Sequence, residues 1–77
     1  MLTGKRFELG KPTIAIDTVN GTRVAAVIPE GGVIRVISGP TTGDRMVDVL
    51  FEGRRLVMFA ADAEVRGAEI KEQRAAG

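Results

Sequence analysis

The chain has no cysteine, histidine, tyrosine or tryptophan among its 77 residues, and its only aromatic side chains are three phenylalanines. Without thiols, no disulfide can staple so short a chain. Without histidine or cysteine, the Ser-His-Asp and Cys-His arrangements of nucleophilic catalysis are excluded outright, as are zinc centres built from those ligands. The missing tyrosine and tryptophan count against two uses of aromatic grooves, the docking of proline-rich peptides and the caging of methylated lysine. Long apolar runs are lacking too. Val24–Ile28 is five residues, far short of a bilayer span, and Met1–Gly10 contains no apolar stretch of the kind that forms a signal-peptide core. The expectation is a cytoplasmic protein without membrane contact.

Charge of one sign is also in short supply. Eleven basic and ten acidic residues leave a formal charge of +1, whereas nucleic-acid binders usually carry a concentrated basic excess. Eight of the cations are arginine, which suits paired or bidentate contacts better than loose solvation. The expectation is one domain spanning residues 1–77. A chain of this size buries only about 60% of the surface its unfolded form exposes. With no disulfide to help, the remaining aids are a metal or self-association.

What is present is a ladder of short apolar runs, each followed by a turn signal. Thr13–Val19 precedes Asn20-Gly21, Thr22–Ile28 precedes Pro29-Glu30-Gly31-Gly32, Val33–Ser38 precedes Gly39-Pro40, and Met46–Phe51 precedes Glu52-Gly53. Such runs read as antiparallel strands. Asn20-Gly21 suits a type I′ turn, which needs positive φ at both central residues. A two-residue loop there sets Val19 opposite Thr22, Asp17 opposite Val24 and Ile14 opposite Val27. One face then carries Ile14, Ile16, Ala25 and Val27, and the other Ala15, Asp17, Val24, Ala26 and Ile28. At Glu52-Gly53 the same logic sets Val49 opposite Leu56 and Val47 opposite Met58, with Phe51, Arg54 and Ala60 on that side. The opposite face holds Met46, Asp48, Leu50, Arg55, Val57 and Phe59. Gly4–Leu9 reads as a first strand or an extended lead-in. Ala60–Val65 reads as a single 3₁₀ turn capped by Asp62 and stopped by Gly67. Ala68–Ile70 reads as a short edge strand, and 71–77 as a frayed or helical tail.

Both faces of Met46–Ala60 are apolar, whereas a half-buried strand alternates apolar with polar. A domain of this size has one core, so something must cover the second face. The chain ends (Phe7, Leu9, Ile70 and the last turn) are one candidate and another molecule is the other, since large exposed apolar patches mark contacts.

Five to six short strands, a helical turn near the C-terminus and this length resemble an SH3-like barrel. Within it, Gly32–Gly43 is similar to the KOW motif of ribosomal and transcription-elongation proteins. That motif runs as a glycine, a Val-x-Val strand and a Gly-Pro turn with a second glycine soon after. The resemblance implies that Ile34 and Val36 point inward and that Gly39, Pro40 and Gly43 form the turn. It departs from the motif where basic loop residues are usual, offering Thr41 and Thr42 instead. The chain also resembles small bacterial proteins of uncharacterised function in Gly4–Phe7, Val47–Val49, Phe51–Arg54 and Arg66-Gly67, which implies no particular activity.

Candidate chemistry is sparse. The acids are spread along the chain and suggest neither a carboxylate metal site nor an acid–base pair, and Gly31-Gly32 and Gly39-x-x-x-Gly43 lack the Lys-Ser/Thr and helix of a phosphate-binding loop. No cofactor is expected. Asp48, mid-strand among apolar residues, either pairs with Arg55 diagonally across the hairpin or anchors an interface, and Asp17 invites the same comment. The leading expectation is a non-enzymatic barrel that binds protein partners and associates with itself through Met46, Asp48, Leu50, Arg55, Val57 and Phe59. A nucleic-acid-binding barrel using Arg35, Arg45, Arg54 and Arg55 is the alternative. A ligand or catalytic site formed only between subunits is the third.

Overall fold

The structure, a computed structural model, describes residues 2–41 and 43–71. Along the chain lie β1 (Arg6–Leu9), β2 (Thr13–Val19), β3 (Thr22–Ile28), β4 (Val33–Ser38), β5 (Met46–Phe51), β6 (Arg54–Phe59), a helix α1 (Ala60–Arg66) and β7 (Gly67–Ile70). Two tight hairpins organise this order. Asn20 and Gly21 have φ of 51° and 80°, and Glu52 and Gly53 have 49° and 78°. Both are the doubly positive pair that a type I′ turn requires, and its twist matches that of the flanking strands. The expected registers follow, with Val19↔Thr22, Asp17↔Val24 and Ile14↔Val27 in the first hairpin, and Val49↔Leu56 and Val47↔Met58 in the second.

The seven strands form one antiparallel sheet in the order β3-β2-β6-β5-β4-β1-β7. That exceeds the expected five to six, because both short terminal segments become strands and pair with each other from Arg6↔Ile70 to Leu9↔Gly67. The inward residues of β1 to β6 meet in a single cluster, among them Leu9, Ala15, Ile28, Ile34, Val49 and Met58. Ile34 and Val36 are both buried. Fully burying a side chain of this kind contributes about 1.5–3 kcal/mol.

The segment after β6 is a seven-residue α-helix rather than a 3₁₀ turn. Phe59, not Asp62, takes the N-cap position, without a side-chain cap bond. Asp62 lies inside the first turn and pairs with Arg66 at 3.6 Å, one helical turn on. Ala63 is wholly buried and fixes the helix on the core. The helix ends where Gly67 N–H donates to Ala63 O while Gly67 itself is already extended, at φ −105°. A Cβ at Gly67 would lie 2.5 Å from Ala63 O and 3.0 Å from Phe7 Cβ. Only a residue without a side chain lets helix end, β1 and β7 meet so closely. Among the described residues, no helix is long and apolar enough to cross a membrane.

Candidate interaction face

Strand alternation assigns one side of the sheet to the core and leaves the other to be explained. The pairings trace this outer side as cross-strand rows. One row runs Ser38, Asp48, Val57, Ile16, Ala25 across β4, β5, β6, β2 and β3. Beside it lie the pairs Met46↔Phe59 and Ile14↔Val27. On the other flank a row runs Ile70, Arg6, Arg35, Leu50, Arg55 across β7, β1, β4, β5 and β6.

The six residues expected at a contact, Met46, Asp48, Leu50, Arg55, Val57 and Phe59, all lie on this outer side as three directly opposed pairs. Phe59 is 51% exposed and Leu50 39%, while Met46 and Val57 are half-buried. Their apolar surface continues onto β2 and β3, where Ile14 is 66% and Val27 63% exposed. Of the residues expected to cover it, Phe7 and Leu9 point to the opposite side and belong to the core cluster, while Ile70 lies on the outer side at the far end of the Arg6 row. Residues 72–77 of the expected tail lie outside the described residues. Between the two hairpins the face dips into a groove of about 280 Å3 lined by Ile16, Thr18, Arg23, Asp44, Met46 and Val57.

Asp48 is the polar centre of the face. Its Oδ2 accepts hydrogen bonds from Arg55 Nη2 at 3.1 Å and Ser38 Oγ at 2.9 Å. The diagonal pairing with Arg55 therefore forms, and Ser38 supplies a donor that spacing alone does not indicate. Asp17 behaves differently: it faces the core side, is 6% exposed, and pairs with the Arg54 guanidinium. A buried carboxylate needs such a partner because an uncompensated charge is expensive to desolvate.

The four arginines expected to bind nucleic acid are thereby divided. Arg35 and Arg55 share the outer row on either side of Leu50. Arg54 pairs with Asp17 on the core side, and Arg45 lies in the loop before β5, where its carbonyl accepts from Ala60 N–H. Arg6, directly opposite Arg35, enters the row instead. Nothing local in the sequence marks it, because the β1–β4 pairing joins segments distant along the chain. The hairpin register puts Ile14, Ile16 and Val27 on one face, but nothing local signals that β2 lies beside β6. A depression of about 340 Å3 lies beside Arg6 and Arg35, with Lys5, Glu69 and Lys71 on its rim. Lys5 there pairs with Glu69 at 3.7 Å. Among the described residues, no three acids, histidines or cysteines converge in a way that would hold a metal ion. No family model, curated protein or solved structure matches the chain.

Proposed function

We propose that the chain is a non-enzymatic interaction module, a small SH3-like barrel that binds protein and associates with itself through the outer face of β5, β6 and β2. One observation carries the reading: Phe59, Ile14 and Val27 stay half or more exposed on the apolar outer side, while Phe7 and Leu9 pack on the other side. Surfaces of that kind mark contacts. Asp48 and Arg55 supply the polar feature that fixes how a partner sits. The barrel reading draws support from the single cluster shared by six strands.

Light scattering behind a sizing column, over a dilution series, tests this. The wild-type mass is expected to exceed the 8.2 kDa monomer and to fall on dilution. Phe59→Asp is expected to lower it while the circular dichroism stays unchanged. Equal masses for the two proteins overturn the reading, and so does an unfolded variant, which assigns Phe59 to the core.

The row Arg6, Arg35, Leu50, Arg55 favours a second reading, contact with a nucleic-acid backbone through a KOW-like segment. It requires retention on single-stranded DNA or RNA that falls steeply with salt. Retention that ignores salt, or survives Arg35→Glu, removes it.

A further inference from the structure

We infer that β3 is a self-pairing edge, through which two copies join their sheets into one. This surface is distinct from the outer face, and the inference stands on separate observations.

Among the described residues, β3 closes one end of the sheet and pairs only with β2. In a two-residue hairpin the residues flanking the turn, Val19 and Thr22, form a hydrogen-bonded pair, and bonded and non-bonded pairs then alternate. Arg23, Ala25 and Val27 therefore direct their N–H and C=O groups away from β2, and among the described residues no turn or loop bond takes them up. Such a row is a template for another strand, and proteins blunt it with proline, bulges, lysines or short length. β7, at the other end of the sheet, is only four residues long. β3 has seven residues, Thr-Arg-Val-Ala-Ala-Val-Ile, with no proline and a single charge.

The spacing selects a second copy of the chain, in one register. A two-fold axis through Ala25 sets Ala25 against itself and Arg23 against Val27 of the other copy, so every open donor and acceptor of the three residues is used. An axis through Arg23 stacks two like charges, which is destabilising across strands. An axis through Val27 sets Pro29, which has no N–H, against Ala25. In the favoured register Glu30 of one copy, in the Pro29-Glu30-Gly31-Gly32 turn just past β3, follows by three residues the position opposite Arg23 of the other. Neither has an ion pair within its own chain among the described residues. Val24, 41% exposed, comes to lie opposite Ala26 of the second copy. The row Asp48, Val57, Ile16, Ala25 then continues into its own mirror sequence, doubling the apolar strip.

Single cysteines in this cysteine-free chain test the pairing. Ala25→Cys sets two Cα atoms about 5.5 Å apart, inside the range that a disulfide spans. Oxidation is expected to give covalent dimer about tenfold or more faster than Glu64→Cys on the helix, as pre-paired thiols react at high effective concentration. Arg23→Cys mixed with Val27→Cys is expected to cross-link, and either alone is expected to lag. Ala25→Pro removes a donor that β2 does not use, and is expected to lower the solution mass with unchanged circular dichroism. Ala25→Cys cross-linking no faster than Glu64→Cys overturns the inference, as does cross-linking of Arg23→Cys alone at the rate of the mixture. Dimer only with an unrelated extended peptide would assign the edge to another protein and overturn it too. If Ala25→Cys fails while Phe59→Asp still lowers the mass, the edge falls and the outer-face reading stands. If Ala25→Cys cross-links and Phe59→Asp changes nothing, the reverse holds.

Discussion

Replacing Gly67 by alanine sets two effects of opposite sign against each other. Gly67 is extended, at φ −105° and ψ 152°, a conformation open to any residue. On backbone grounds alone, alanine should therefore stabilise by about 0.4–1 kcal/mol through a less disordered unfolded chain. Packing opposes this. The added methyl would sit 2.5 Å from Ala63 O, 3.0 Å from Phe7 Cβ and 3.3 Å from Leu9 Cδ2. The first of these is a backbone atom that already accepts the Gly67 N–H, so relief means moving the helix end and weakening that bond. Overpacking of this kind costs about 1–3 kcal/mol, and a weakened hydrogen bond adds about 0.5–1.5 kcal/mol. Packing wins, with a net loss of about 1–3 kcal/mol. At about 4–8 °C per kcal/mol for a domain of this size, Tm should fall by roughly 5–20 °C. With no tryptophan or tyrosine to report by fluorescence, calorimetry or far-ultraviolet circular dichroism is the assay. An unchanged or raised Tm would refute the close approach of helix, β1 and β7.

The two faces of the sheet should respond to truncation in opposite ways. Met58→Ala, on the core side and 1% exposed, should cost about 2–5 kcal/mol in urea unfolding. Ile14→Ala, on the open side, should stay within about 0.5 kcal/mol at dilutions where the protein is monomeric. The two acidic pairs should differ as well. Arg54→Met strands a buried Asp17 and should cost about 1–3 kcal/mol, recovered in part by adding Asp17→Asn. Arg55→Ala breaks a pair whose side chains are 64% and 33% exposed and should cost less than about 1 kcal/mol. A double-mutant cycle at Asp48 and Arg55 measures that second value directly.

The hairpins are legible in the sequence because their information is local. Asn-Gly at positions 20 and 21 needs a turn with φ positive twice, and that turn sets the opposing residues of β2 and β3. The period of two then separates Val47, Val49, Leu56 and Met58 from Met46, Asp48, Val57 and Phe59. What lies beyond the hairpins depends on strand order, which no local pattern carries. Ile16 meets Val57 and Arg6 meets Arg35 only because β2 lies beside β6 and β1 beside β4. The basic row is for that reason read with Arg45 and Arg54 in it and Arg6 outside it. For a related reason the helix exceeds the single turn that its sequence predicts. Ala60–Arg66 is too short to hold by its own propensity, and burial of Ala63 against the core supplies what the local sequence lacks.

The seam between β2 and β6 has a dynamic consequence. One registered pair, Ile16↔Val57, joins the β2–β3 hairpin to the rest of the sheet, whereas β5 and β6 are paired along their full length. Backbone amides at the two places should therefore exchange with solvent deuterium by different routes. Those between β5 and β6 should open only when the whole domain unfolds, and those between β2 and β3 should also exchange through release of the hairpin as a unit. The Asp17–Arg54 pair bridges the seam, so its removal should speed exchange in β2 and β3 more than in β5. A hairpin that releases while still paired with itself is also an element two copies can trade, which makes this seam the natural hinge for domain exchange at high concentration.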